Sequence, residues 1–110
     1  MIQEHLNRIE ERLKQSEAVT EGDKSELLRL LATLRTEITD LSRTHGEQAE
    51  SITGFAELSA REATRREKNP TLLKLSTDGL ASSVDGFETS HPRLVEIVNA
   101  LCTILSNLGI

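Results

Sequence analysis

Few side chains in this sequence combine a reactive type with a useful spacing. Glu88 and His91 stand three residues apart. On a helix that spacing puts a carboxylate and an imidazole on one face, as in carboxylate-bridged di-metal bundles. Such a site needs two motifs of this kind and two further carboxylates, whereas the chain has one motif, and Pro92 follows the histidine at once. Closing or capping a helix junction is therefore the better reading of the pair, with metal binding as the alternative. His45 and His91 both fall on apolar stripes, which fits a ring hydrogen-bonded at a helix end or a pH-responsive interface. Arg61, Arg65, Arg66 and Lys68 are the only basic cluster, interleaved by Glu62 and Glu67. They read as a solvated helix face rich in ion pairs, or alternatively as a docking site for an acidic partner or for phosphate groups. Cys102 lies in an apolar stretch with no cation within a helical turn, so it is expected as a small buried hydrophobe. The chain contains no C-x-x-C, H-E-x-x-H, G-x-S-x-G, Walker loop or dinucleotide fingerprint. No catalytic residue, metal ligand or cofactor is assigned on these grounds, and the expectation is a protein that is not an enzyme.

The elements that carry these residues follow from composition and period. The chain has 110 residues and a formal net charge of −5, which suits one domain over residues 1–110. It holds 17 Leu and 8 Ala but only two Phe, no Trp and no Tyr, so it favours helices over sheets. The same scarcity of aromatics removes the stacking platforms of single-strand binders, and the acidic balance argues against general nucleic-acid binding. Ile2, Leu6, Ile9 and Leu13 predict a first helix over about 2–18. Asp23 with Glu26 reads as a capping box for a second, over 23–44, along Leu27, Leu31, Leu34, Ile38 and Leu41. A third, over 47–68, carries Ala49, Ile52, Phe55, Ala56, Ala60 and Ala63, and its burial is expected to be shallow. The stripe phase runs through Thr44-His45-Gly46, which slightly favours one continuous helix over 23–68 against a break at Gly46. Asn69-Pro70 starts a new helix, 70–89, and Pro92 a last one, 92–108, ended by Gly109 with Ile110 folding back. Leu73, Leu80, Phe87, Leu94, Leu101 and Leu108 recur every seven residues, so Pro92 marks either a kink or two helices stacked nearly end to end. Both Phe are expected to be buried, one per long helix, and the second and last helices to lie at the centre.

The C-terminal block Gly86-Phe87-Glu88-x-Ser90-His91-Pro92-x-Leu94, followed by Leu101, Leu105 and Leu108-Gly109-Ile110, resembles a family of small bacterial helical proteins of unknown function. The resemblance covers the first 44 residues and residues 72–110, with the stretch around 47–69 as extra length. It implies a helical protein and carries over no catalytic residue.

The fold expected is all-α: an antiparallel helical hairpin or bundle of long amphipathic helices, with a kink or break at Pro92, completed by dimerisation because one chain of this length is not expected to cover every Leu stripe alone. The expected role is a homo-oligomeric or adaptor-type interaction or scaffold protein. The alternatives are a regulatory binder of nucleic acid or of an acidic partner through Arg61–Lys68, and a metal protein using Glu88 and His91. A cytoplasmic location is expected from the single Cys, the lack of a basic-then-apolar leader and the lack of any span of roughly 20 apolar residues.

Overall fold

In the computed structural model, which describes residues 1–108, the three- and four-residue apolar steps become five helices. These are α1 (Ile2–Gln15), α2 (Glu21–Ser42), α3 (Gly46–Ala63), α4 (Pro70–Ser83) and α5 (Pro92–Leu108). The protein is all-α, with no strand among the described residues. Gly109 and Ile110, expected as a helix stop and a cap contact, lie outside the described residues.

Local chemistry fixes the boundaries. Thr20, not Asp23, caps α2: its hydroxyl accepts from the Asp23 N–H at 3.2 Å, and Gly22 lies inside the helix instead of marking the turn. Ser16 turns extended (φ −73°, ψ 127°), so α1 stops at Gln15. Lys68 donates from Nζ to the Ala63 carbonyl at 2.7 Å and closes α3 well before residue 68. Asn69 accepts from the Leu72 N–H at 3.1 Å with Pro70 in the first turn of α4.

The continuous helix over 23–68 does not form. His45 leaves helical space (φ −134°, ψ 60°), and the chain reverses between α2 and α3. Such a helix would be about 69 Å long at 1.5 Å per residue, against a longest molecular extent of 37 Å. It would leave both half-stripes uncovered, and helices in proteins are held mainly by packing. Pro92 marks neither a kink nor an end-to-end stack. α4 ends at Ser83, Gly86 takes a left-handed φ of 95°, and α5 returns beside α4, where the Cys102 thiol reaches the Thr77 carbonyl at 3.5 Å.

The centre belongs to α3, which touches all four other helices. Its buried face is built from Ala49, Ile52, Thr53, Ala56, Ser59, Ala60 and Ala63, so its burial is deep where shallow burial was expected. Small side chains let neighbours approach from several sides, so a weakly apolar helix can be the best covered. Leu27, Leu34, Ile38 and Leu41 of α2 and Leu94, Val98, Leu101 and Leu105 of α5 close the core. The Leu stripes are thus covered within one chain, and no second copy is needed to bury them. The aromatics also depart from expectation. Phe87 is buried but sits in the α4–α5 turn, while Phe55 is 38% exposed and lays its ring over Gly79 of α4.

Candidate functional site

A wide cleft of about 790 Å³ lies between α1 and α3. The two helices run side by side in the same direction: His5 faces Glu50 and Glu57, and Arg12 and Gln15 share the cleft with Arg61 and Thr64. Four guanidinium groups line it, Arg8, Arg12, Arg61 and Arg66, together with Glu11, Glu17 and Glu57. Of the 13 Lys and Arg, eight form ion pairs. Of the five that form none among the described residues, three (Arg12, Arg61 and Arg66) converge on this cleft. The basic cluster of the sequence therefore divides. Arg61 and Arg66 face the cleft, Arg65 pairs with the buried Glu62 at 2.9 Å, and Lys68 caps α3.

The cleft ends on a polar clamp. Both ring nitrogens of His5 meet carboxylates, Nδ1 reaching Glu57 Oε1 at 2.5 Å and Nε2 reaching Glu50 Oε1 at 3.1 Å. Arg8 donates from Nε to Glu57 Oε2 at 2.7 Å. Burial pushes the Glu57 carboxyl up, but the hydrogen bonds from Arg8 and His5 outweigh it and hold the group below the ordinary glutamate range.

At the opposite end of α3, His45, Phe87 and His91 pack edge to face, with ring centroids 5.4–6.4 Å apart. Two residues that the sequence placed on separate stripes thus meet across two turns. Thr44 Oγ1 shares a hydrogen bond with His45 Nδ1 at 2.8 Å, and Ser90 Oγ one with His91 Nδ1 at 3.0 Å. Glu88 does not join His91 on a helical face. Both lie in the α4–α5 turn, and Glu88 accepts from the Gly86 N–H at 2.8 Å. Among the described residues no group of three His, Cys, Asp or Glu could hold a metal ion. In the α4–α5 turn the His91 N–H donates to the Phe87 carbonyl at 2.8 Å. Cys102 is half-buried, and burial with the nearby Asp78 charge pushes its thiol up to about 11.

A family model described as "Domain of unknown function (DUF4404)" matches residues 27–110. The chain belongs to the DUF4404 family. No curated protein and no solved structure matches it. The DUF4404 match takes in the 47–69 stretch, which the resemblance had set aside as extra length, and starts after α1. Arg61, Arg66 and the His45–Phe87–His91 corner fall inside the DUF4404 stretch; His5, Arg8 and Arg12 fall outside it. The α1 contribution to the cleft was missed by sequence reasoning. Its one signal was the Arg8/Arg12 spacing of four, which places both cations on one helix face. No helix among the described residues is long and apolar enough to cross a membrane.

Proposed function

We propose that the protein is a non-enzymatic helical interaction module that receives a carboxylate-bearing protein segment in the α1–α3 cleft. The observation that carries this reading is the convergence of Arg12, Arg61 and Arg66, without ion-pair partners among the described residues, in a chain of net charge −5. Guanidinium groups bind carboxylates through paired hydrogen bonds, so three of them in one cleft favour several carboxylates at once. Nucleic acid fits less well. Glu11, Glu17 and Glu57 line the same cleft, and α1 and α3 both end there, each adding about half a negative charge. A mixed-charge surface suits a peptide more than a continuous phosphate backbone. The non-enzymatic reading draws support from the candidate groups themselves: the Cys102 thiol is pushed to about 11, and Glu88 is engaged by backbone.

Self-association in a cytoplasmic setting, as a homo-oligomer or adaptor, is a second reading. It is favoured by Leu72 and Leu75 of α4, which stand 42% and 62% exposed. The test of the cleft is fluorescence anisotropy with a labelled Asp/Glu-rich peptide and with a single-stranded oligonucleotide of equal charge. The peptide should bind, weaken with added salt, and lose at least about tenfold in affinity in Arg12→Ala/Arg61→Ala/Arg66→Ala. Equal peptide binding by that variant, or preference for the oligonucleotide, overturns the reading.

A further inference from the structure

The elbow between α1 and α2 differs from the other three turns. Gly46 follows the break between α2 and α3, Pro70 opens α4, and Gly86 and Pro92 bound the last reversal. The α1–α2 elbow, Ser16-Glu17-Ala18-Val19-Thr20, contains neither Gly nor Pro. It is held by three side-chain bonds, Ala18 N–H to Ser16 Oγ, Asp23 N–H to Thr20 Oγ1 and Lys24 Nζ to the Lys14 carbonyl, each 3.2 Å, and by the buried Val19.

The seven-residue spacing of the buried leucines also carries across it, with Thr20 as its one polar position. Leu6, Leu13, Thr20, Leu27, Leu34 and Leu41 are spaced by seven throughout, and all five Leu are 0–1% exposed. The same spacing is therefore also compatible with one unbroken helix over 2–42, polar at Ser16, Thr20 and Asp23 where its stripe crosses the elbow. That helix would be about 62 Å long at 1.5 Å per residue, against a longest molecular extent of 37 Å. Once straight, α1 cannot reach its own seat on α2 and α3. The seat would then expose Leu27, Leu31, Leu34, Ala56 and Ala60, which α1 now covers with Ile9 and Leu13. The segment that fits this opening in every contact is the α1 of a second copy.

We propose that α1 is an exchangeable helix. The elbow straightens, and α1 docks on the α2–α3 groove of a second copy, remaking the Leu6/Ile9/Leu13 packing and the His5–Glu57 and Arg8–Glu57 clamp between chains. Apart from the elbow itself, the contacts of α1 in the closed chain are reproduced across a two-fold. It gives the self-association reading a specific form and rests on it; in the exchanged dimer the α1 and α3 walls of the arginine cleft come from different chains.

The test uses the full chain. Glu17→Pro pins the elbow, because Ser16 already has the extended backbone that a residue before proline requires. Its N–H makes none of the turn hydrogen bonds. Ser16→Ala/Thr20→Ala removes two of the three side-chain bonds that hold the elbow closed and leaves the Lys24–Lys14 bond. By light scattering after slow concentration, the wild type should form a dimer and Glu17→Pro should not. The double Ala variant should dimerise about tenfold more tightly, the size of effect expected for a lost helix cap. Exchange is then read directly in a Cys102→Ala background carrying Glu11→Cys and Arg61→Cys, one on each wall of the seam. A short bis-maleimide should join two chains in the dimer fraction and close within one chain in the monomer fraction. Cross-links confined to single chains within a dimer refute exchange and leave self-association standing. Monomers throughout, for wild type and double Ala variant alike, refute both. If Glu17→Pro fails to fold by circular dichroism, the double Ala variant and the cross-link decide alone.

Discussion

Gly79 sits under the ring of Phe55, and the sign of a Gly79→Ala substitution should depend on that ring. A Cβ built at Gly79 would stand 2.5 Å from Phe55 Cε1 and 2.7 Å from Cδ1, so the ring has to leave. It can, because Phe55 is already 38% exposed. Fully burying a Phe contributes roughly 1.5–3 kcal/mol, so the buried three-fifths or so of this ring is worth about 1–2 kcal/mol. Against that loss, Ala in a helix interior is favoured over Gly by about 1 kcal/mol. In the wild-type background the two nearly offset, and Gly79→Ala should be neutral to about 1 kcal/mol destabilising. In a Phe55→Ala background nothing opposes the new methyl, and Gly79→Ala should stabilise by about 1 kcal/mol. The coupling energy is thus about 1–2 kcal/mol, within the range seen for residues in contact. Urea denaturation of the four proteins of the cycle measures it, provided the urea slope stays constant across the set. The same effect of Gly79→Ala in both backgrounds would refute the reasoning, because it would mean that the ring does not occupy the space above Gly79.

Other perturbations probe the remaining elements. Glu57→Gln should cost about 1 kcal/mol at neutral pH, since Arg8 and His5 both give hydrogen bonds to the carboxylate. Because the Glu57 carboxyl is held below its ordinary value, that contribution is fully present above about pH 4.3 and fades as the pH falls through the lowered pKa. Wild-type and Glu57→Gln stabilities measured against pH should therefore converge in acid, and parallel curves would count against the clamp. Gly86→Ala should cost about 1–2 kcal/mol, because φ is 95° while a Cβ there meets nothing within 4 Å; thermal melts decide it. Cys102, with its thiol pushed to about 11, should react with iodoacetamide at neutral pH only at the rate of unfolding or far below that of a free thiol. Alkylation at the free-thiol rate in native buffer would show that the Thr77 contact and the burial are absent.

What the sequence made legible was what local chemistry decides. Stripes of Leu at three and four residues and a Pro behind a capping Asn dictate helices whatever surrounds them. The misplaced features were those set by partners distant in sequence. The phase through Thr44-His45-Gly46 is compatible with one helix, and the reversal comes from the need of two half-stripes to face each other. α3 looks marginal by apolar content, yet its Ala and Ser positions make it the helix that four others can approach. Phe55 was expected in the core because it falls on the helical stripe, but the space that accepts its ring is a missing Cβ on another helix.

The site obeys the same division. Arg61, Arg65, Arg66 and Lys68 cluster in sequence, but helical geometry sends Arg65 to Glu62 and Lys68 to the end of α3, and only Arg61 and Arg66 remain for a partner. Their companion Arg12 comes from α1, some fifty residues earlier, through a parallel pairing of helices that no local spacing encodes. A linear cluster of charge is thus a poor guide to a binding face on a helical protein. The better guide is the set of cations left over once the i,i+3 and i,i+4 partners have been taken out. Here that set is short, and most of it lies in one cleft. The heptad phase through the α1–α2 elbow has the same lesson in reverse, since Leu13 and Leu27 are in register both for a hairpin and for a straight helix. Where local pattern allows both, the turn itself rests on the Ser16 and Thr20 hydroxyls, the Lys24–Lys14 bond and the burial of Val19, while the Arg35 contacts to Gln3 and Glu10 lie between α1 and α2 and can be remade by a second copy.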